Sequence, residues 1–377
     1  MSPASTSIVV IALVVVWTTT HRVMRGADIR ALTDAQRRML TMAAGVSAAL
    51  LAWTVWSRPQ PQPSDLAPVW AAARAFLHGE NPYEAIRPGT PYYIGFRLLY
   101  PLTAVVVLLP LALAPLRWAD PIFVGLGFAL FTWAITAEKR LTPSIVALVS
   151  LPALMTLQTS QWSLLLTGAA LVPWLGFLLV AKPTIGLALF AAYPDRRSAA
   201  ACAALVAAAT LLAPGWINDW RASFAGAPHI VAPIVRPGGL LILLAALKWR
   251  RPEARLLVAL GCVPHTTAPY ETIPLFLVAE SWLQAFAIWA LALGAYLMQR
   301  AMGPYASQEA YWASGAQWIV LLMYLPCVAL VLRRPNVWRG DERQPIDQRT
   351  QSGALTPAGR SIVSVESYSD ATPARAR

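Results

Sequence analysis

Residues 312–332 read WASGAQWIVLLMYLPCVALVL, an apolar run without a charged side chain. A helix needs about 20 predominantly apolar residues to cross a bilayer, so this run predicts a membrane-spanning helix. Further runs of the same character predict the other long helices: 41–56, 121–137, 163–180 and 282–298.

The composition extends this interpretation to the whole chain. Of its 377 residues, 57% are hydrophobic and 13% are charged, and the mean hydropathy is +0.52. A soluble protein of this size carries more charge. Shorter, proline-interrupted apolar segments lie between the long runs, and at membrane depth their backbone groups need protein or water partners. We therefore expect an all-α, polytopic membrane bundle of about 10–13 transmembrane or re-entrant helices around a cavity.

The net charge of +12 comes from Lys and Arg residues that gather in short connections between apolar runs. This distribution follows the positive-inside rule and leaves no basic face that would bind nucleic acid. Placing the basic connection 22–38 in the cytoplasm puts Asp65 outside, and the same rule puts 265–271 outside. We expect a multi-pass protein of a cell membrane, of the bacterial plasma membrane type, with its site facing outside.

The expected transmembrane domain covers 1–334, with a retained first span at 8–17 and a first extracytoplasmic loop at 58–100. Residues 335–377 are polar and rich in Arg, Gln, Ser and Thr. They predict a disordered cytoplasmic tail, because too little apolar surface is available to drive folding.

Prolines leave the number of passes between 101 and 195 open. Three prolines make 101–116 a poor straight span, so we expect this segment to lie at the outer interface or only to dip into it. Pro173 and Pro183 allow either two or three passes over 163–193.

The loop 58–100 contains an amphipathic segment that starts at Asp65. Its apolar residues recur at the spacing of a helix with one hydrophobic face; they are Leu66, Val69, Trp70, Ala73, Phe76 and Leu77. We expect this helix to lie flat in the outer interface with that face in lipid, and Gly79 to end it in the left-handed conformation. Asp65 is then either a functional carboxylate or, like Ser64, simply the helix N-cap.

Ionisable groups are scarce in this chain, so those that gather at one face of the membrane are candidates for chemistry. Lys182 lies between apolar runs, where an unpaired ammonium would be costly. It either meets an anionic group or extends to the lipid headgroups. His265, Tyr270 and Glu271 form a second outward polar group beside the loop that holds Asp65.

Several short motifs occur in order between Asp65 and Lys182. An early apolar run precedes Asp65, and the motifs that follow are Asn81-Pro82-Tyr83, Tyr100-Pro101-Leu102, Ser160-Gln161-Trp162-Ser163 and Ala181-Lys182-Pro183-Thr184. In this order they resemble glycosyltransferase family 87, which belongs to the GT-C class of multispanning transferases. Ser160 and Ser163 stand where that family usually has Gly and Asn, and Leu102 stands where a second Pro is common.

The resemblance implies a GT-C-like fold and an inverting transferase. Such an enzyme takes a hexose, typically mannose, from a polyprenyl-phosphate carrier and passes it to a glycan or glycolipid acceptor outside the cytoplasm. Asp65 is the expected general base, which removes the proton of the acceptor hydroxyl. We expect no metal and no cofactor, because Asp65, Glu80 and Glu84 do not form a recognised metal motif.

The expected substrate-binding residues fall into two groups. Cations that can meet the departing phosphate are Lys182, Arg97, His265 and Arg236. Residues that can face the sugar, line the entrance of the carrier or complete these motifs are Tyr83, Tyr100, Gln161, Tyr270 and Glu271.

The main alternative is a membrane transporter or flippase for a lipid-linked or small polar substrate, because broken helices around a cavity also serve alternating access. A transporter predicts ionisable groups near the middle of the membrane, whereas a transferase predicts them at one face. A ligase or polymerase of surface glycans is a further alternative, and it predicts a large outward loop rich in Arg.

Overall fold

A computed structural model describes residues 31–57, 63–225, 231–264 and 268–337. All of them belong to the first of two units into which the chain divides, Met1–Val337; the second, Trp338–Arg377, lies outside the described residues. The expected first span at 8–17 and nearly all of the expected tail therefore lie outside them as well. These two expectations stay predictions.

The described residues form helices and short connections, without a β-strand. The α-helices are α1 Asp34–Trp56, α2 Ala67–Leu77, α3 Pro82–Ala85, α4 Leu102–Ala112, α5 Leu116–Ile135, α6 Leu151–Thr159, α7 Ser163–Ala170, α8 Pro183–Ala192, α9 Arg196–Leu212, α10 Trp216–Ser223, α11 Pro252–Cys262, α12 Trp282–Ala301, α13 Gln308–Ile319 and α14 Leu325–Leu332. Five 3₁₀ helices lie between them, at Pro143–Val149, Pro173–Ala181, Pro233–Val235, Gly239–Lys248 and Pro269–Val278.

Within the described residues, four helices are long and apolar enough to cross a membrane: Asp34–Trp56, Leu116–Ile135, Trp282–Ala301 and Gly315–Leu332. The count rises to five if α9 and α10, which meet at a bend of 95°, form one span. The all-α fold is thus confirmed for the described residues, and these candidate spans are consistent with a helical membrane bundle. The expected total of about 10–13 passes relies on shorter apolar segments and stays a prediction.

Two of the long helices pack closely through small residues. A Cβ added to Gly45 would lie 2.9 Å from Ala129 Cβ, and one added to Gly125 would lie 2.9 Å from Ala49 Cβ. Gly45/Ala49 on α1 and Gly125/Ala129 on α5 are both Gly-x-x-x-Ala pairs, whose small side chains allow backbones to approach within a membrane. This pairing fixes α5 against α1.

One hydrogen bond and one pair of stacked rings show that α1 and α5 run antiparallel. Near the start of α1, Arg37 Nη2 donates to the Trp133 carbonyl at 2.7 Å, and at the other end Trp53 stacks on Trp118 with 6.2 Å between ring centroids. Arg117 and Arg140 therefore lie at opposite ends of one full span. The helix α4 is among the shorter apolar helices rather than the candidate spans, and the expectation that 101–116 lies at the outer interface or only dips into it stays a prediction.

Prolines explain where the expected long helices differ from the observed ones. Residues 163–180 were expected to form one span, but α7 ends at Ala170 and a 3₁₀ helix begins at Pro173. Proline lacks an N–H and clashes with the preceding turn, so it ends the α-helix. The run 312–332 does stay helical, with a π-helical turn at Val320–Tyr324 just before Pro326.

The amphipathic helix forms as α2, and Gly79 ends it with φ of 79°. The expected orientation of its hydrophobic face is wrong in part. Leu66, Val69 and Ala73 are fully buried within the protein, and α2 packs on α4. Leu77, near the helix end, is 48% exposed. The hydrophobic stripe is therefore chiefly a protein contact rather than a lipid contact.

The 3₁₀ helix Pro269–Val278, which carries Tyr270 and Glu271, is buried along its whole length. Its far end is held by Arg334, whose Nη2 donates to the Val278 carbonyl at 2.6 Å and whose Nε lies 3.2 Å from Glu280 Oε2. At the same end Ser144 Oγ donates to the Phe276 carbonyl at 3.1 Å. Fixed in this way, the segment presents Glu271, in its first turn, to Lys182.

Candidate active site

The carboxyl group of Asp65 is not used to cap α2. The N-cap position, Leu66, has no side-chain capping bond, and it is the nearby Ser64 Oγ that accepts a hydrogen bond from the Ala67 N–H, at 3.1 Å. The Asp65 backbone N–H instead donates to the Thr159 carbonyl at 3.0 Å, which joins the loop to the end of α6. Of the two interpretations of Asp65 offered by the sequence, the N-cap is therefore wrong, and the carboxylate is available for other contacts.

The end of α6 brings Gln161 to Asp65. Ser160 adopts the left-handed conformation, with φ of 55° and ψ of 54°, and the Gln161 N–H donates back to the Thr156 carbonyl at 3.1 Å. This bond closes the helix end in the manner of a Schellman motif. The chain turns sharply there, and Gln161 Nε2 donates to Asp65 Oδ2.

Lys182 extends this contact to Glu271. Its Nζ donates to Gln161 Oε1 at 3.2 Å and forms an ion pair with Glu271 Oε1 at 2.9 Å. The side chains of Lys182 and Glu271 are 14% and 2% exposed. Lys182 Nζ also lies 5.5 Å from the centroid of the Tyr270 ring, within the range of a cation–π interaction. We call Asp65, Gln161, Lys182 and Glu271 the Asp65 cluster.

The carboxyl group of Asp65 binds a proton more readily than usual because it is buried. Burial raises the pKa of Asp65, while the charge of Lys182 and the hydrogen bond from Gln161 oppose that rise. Glu271 raises the pKa further by like-charge repulsion. A carboxylate with a raised pKa is a stronger base, which suits proton abstraction near neutral pH.

Tyr100 lies beside the Asp65 cluster. Its ring is 6.2 Å from that of Trp162, which in turn meets Phe123 edge-on at 4.9 Å. Burial raises the pKa of the Tyr100 hydroxyl to about 12, and the charges of Lys182 and Asp65 act on it in opposite directions. Tyr100 thus stays a neutral hydroxyl beside the carboxylate at physiological pH.

Two of the other expected substrate-binding residues, Tyr83 and Arg97, make their contacts outside the Asp65 cluster. Tyr83 is buried, and its hydroxyl donates to the Tyr100 carbonyl at 3.2 Å, so it supports Tyr100 from behind. Arg97 is exposed and donates to the Ala225 carbonyl at 2.7 Å. His265 lies outside the described residues. Substrate contacts for all three stay predictions.

Asp120, a buried carboxyl group in the second turn of α5, was not predicted as a site residue from the sequence. Its side chain is 1% exposed. Neither Asp120 Oδ1 nor Ser160 Oγ has a hydrogen-bond partner among the described residues. In the sequence, Asp120 is marked only as an acidic residue next to an apolar run. Because the predicted run begins at Pro121, Asp120 was placed outside the predicted helix.

Within the described ranges, no group of three or more His, Cys, Asp or Glu side chains is arranged to hold a metal ion. Asp65 and Glu271 are instead bridged by an amide and an ammonium group.

Comparisons with protein-family models, with curated proteins and with solved structures find no match to this chain.

Proposed function

We propose that this protein is an integral membrane glycosyltransferase with a GT-C-like fold. It transfers a hexose, which we take to be mannose, from a polyprenyl-phosphate donor to a glycan or glycolipid acceptor at the extracytoplasmic face, with α2 near that interface. The observation that carries the proposal is the contact of Asp65 with Gln161, and through it with Lys182 and Glu271. Residues from three distant motifs of the family resemblance meet at one carboxylate.

The proposed reaction is a single displacement at the anomeric carbon. The acceptor hydroxyl oxygen attacks that carbon while Asp65 takes the hydroxyl proton. The bond from the anomeric carbon to the phosphate oxygen breaks, and the electron pair leaves with the polyprenyl phosphate. The configuration at the anomeric carbon is inverted, and Asp65 then releases its proton to solvent. One carboxylate suffices, in contrast to the two that retaining glycosidases require.

The other members of the Asp65 cluster support this base. Gln161 orients the carboxylate by donating to Oδ2, and Lys182 fixes the Gln161 amide by donating to its oxygen. Its contacts with Gln161 and Glu271 engage two of the three donors of the Lys182 ammonium group. We assign Lys182 chiefly to holding the base, and secondarily to the electrostatic field that meets the departing phosphate.

A transporter is the second candidate, and the buried Asp120 within a candidate span is the observation that favours it. Acidic groups inside spans commonly mark ion or proton pathways. Asp120, however, lies four residues from the start of α5, or about 6 Å along a helix about 30 Å long. That position is near one end of the span, which suits a site at a membrane face better than one at the midplane.

The test is a transfer assay with purified protein in liposomes. Radiolabelled polyprenyl-phosphate-mannose is supplied with a panel of glycan and glycolipid acceptors, and the wild type is compared with Asp65→Asn. We expect transfer to fall by about 10²–10⁴-fold, the usual contribution of a general base. Glu84→Gln is the matched control, because Glu84 is an exposed carboxylate of the same loop, 3.7 Å from Arg87.

The outcomes separate the candidates. Transfer that Asp65→Asn abolishes and Glu84→Gln retains supports the transferase. Equal transfer by all three proteins removes Asp65 from the mechanism. Uptake or flipping of a labelled lipid-linked sugar, without formation of a glycosidic product, supports the transporter instead.

A further inference from the structure

The helices α9 and α10 meet at a sharp bend, which turns α10 across one end of the bundle. The longer helix, α9, has 17 residues and buries only Ser198 and Ala209 within the protein. Its length is about 25 Å, close to the thickness of a bilayer core, so in a membrane bundle its exposed apolar sides face lipid. The bend of 95° between the two helices then places α10 nearly parallel to the membrane plane.

The bend is fixed by contacts within the protein. Trp216, the first residue of α10, is 5% exposed, and its Nε1 donates to Thr210 Oγ1 on α9 at 3.1 Å. The Trp216 ring lies 5.9 Å from the ring of Trp220, one turn further along. Trp220 Nε1 in turn donates to the Leu99 carbonyl at 3.0 Å. The two Trp side chains therefore form the inner side of α10.

The loop that follows α2 fastens the rest of α10. Asn81 Nδ2 donates to Asp219 Oδ2 at 2.9 Å, and Arg97 Nη1 donates to the Ala225 carbonyl at 2.7 Å, just beyond the helix end. With both its start and its end attached to the protein, α10 cannot roll about its axis. The face that it turns outward is therefore set by the fold.

This outward face changes in character around the helix. Ile217 and Phe224 are each 45% exposed, and Asn218 and Arg221 are exposed as well. Each helical residue advances by about 100°, so Phe224 lies about 20° to one side of Ile217, whereas Arg221 lies about 40° and Asn218 about 100° to the other. The order is two apolar side chains, a cation and an amide. A bilayer changes in the same order from its acyl chains to its phosphates and to water.

A phospholipid surface fits this face better than a protein partner does. Leu211 and Leu212, at the end of α9, are 83% and 57% exposed, so they extend the lipid-facing surface of α9 up to the bend. Charged residues are depleted at the centre of protein interfaces, yet Arg221 follows Ile217 directly on this face. Arg97, which is exposed at the far end of α10, adds a second cation. Lipid phosphates complement both charges.

We propose that α10 is an interfacial lipid-binding helix, which lies in the phospholipid surface on the side of the membrane where Asp65 lies. Ile217 and Phe224 enter the boundary between headgroups and acyl chains, Arg221 contacts lipid phosphates, and Asn218 faces water. An interfacial position, which the sequence predicted for α2, thus belongs to α10. Lipid contact by α10 is independent of sugar transfer.

The experiment measures the depth of three positions in the membrane. Ile217→Cys, Asn218→Cys and Phe224→Cys are made one at a time in the full-length protein, after the three natural cysteines are replaced by serine or alanine. Each protein is spin-labelled and reconstituted in vesicles of phosphatidylcholine and phosphatidylglycerol. Collisions of the label with oxygen, which partitions into lipid, are compared with collisions with a water-soluble nickel complex. Position 218 is the matched control, because it is the neighbour of position 217 on the same helix.

We expect the ratio of oxygen to nickel accessibility to be about tenfold higher at positions 217 and 224 than at position 218, as for side chains buried below the headgroups. Equal ratios at the three positions would overturn the proposal. Low accessibility to both reagents at 217 and 224 would overturn it as well, because the face would then be covered by protein rather than by lipid.

Charge reversal tests the contact of Arg221 with lipid phosphates. In monodisperse protein labelled at position 224, Arg221→Glu should raise nickel accessibility about fivefold, because the anionic lipids then repel the helix that they attracted. Arg87→Glu is the matched control and should leave the label unchanged, since Arg87 is an exposed arginine outside α10, 3.7 Å from Glu84. Equal accessibility in Arg221→Glu and the parent would overturn the phosphate contact.

Discussion

Replacing Lys182 with methionine removes the cation that lies 2.9 Å from the Glu271 carboxylate and leaves a side chain of similar length. At that distance the attraction is about 6 kcal/mol for an effective dielectric constant of about 20. Desolvation of both groups consumes part of this energy. Since Glu271 is 2% exposed and Lys182 is 14% exposed, removal of one partner should cost about 3–5 kcal/mol of unfolding free energy, as it does for buried pairs.

The assay is unfolding in mixed micelles, with Lys182→Met, Glu271→Gln and the double variant measured side by side. The double variant should recover most of the loss seen in Lys182→Met, because a neutral pair leaves no charge without its partner. It should still fail to transfer sugar, because Gln161 has lost the ammonium that fixes its amide. Losses that simply add in the double variant would refute a coupled buried ion pair.

Three other predictions concern helix packing, the end of α6 and the pH dependence. Gly125→Leu should destabilise the protein by about 1–3 kcal/mol in the same unfolding assay, because the added side chain meets Ala49 and the Gly45 carbonyl at 2.9 Å; an unchanged stability would contradict the close packing of α1 and α5. Ser160→Gly should be more stable than Ser160→Ala by about 1–2 kcal/mol, because both lose the hydroxyl but only alanine keeps the strain of a φ of 55°; equal stabilities would contradict that conformation. Glu271→Gln should move the acidic limb of the transfer profile to lower pH, because Glu271 raises the pKa of Asp65; a shift to higher pH would contradict that assignment.

Much of the candidate site could be predicted from the sequence because its residues lie in short motifs flanked by apolar runs. Asp65, Gln161, Lys182 and Glu271 were all selected in that way, and the structure brings them together. Which pairs would touch could not be predicted, because the contacts join residues far apart in the chain, such as Asp65 and Gln161, which are 96 positions apart. Such pairing is set by tertiary packing rather than by local pattern.

The parts of the fold that could not be predicted depend on proline and on packing between helices. The hydropathy of 163–180 suits one span, yet Pro173 ends α7 and starts a 3₁₀ helix. The hydrophobic face of α2 suits lipid equally well as protein, and only its packing on α4 decides between them. Asp120 was missed for a related reason, since an acidic residue at a helix end usually serves as a cap or a solvated charge.

The central claim is that Asp65 is a general base whose pKa is raised by burial. It is tested most directly by the pH dependence of kcat/KM for sugar transfer, which reports the ionisation of the free enzyme. A base must be deprotonated, so the rate should fall as the pH drops through the pKa of Asp65, with a midpoint above its ordinary value of 3.8. Asp65→Asn should abolish both this limb and most of the rate. A variant that keeps the wild-type rate and the same acidic limb would contradict the account.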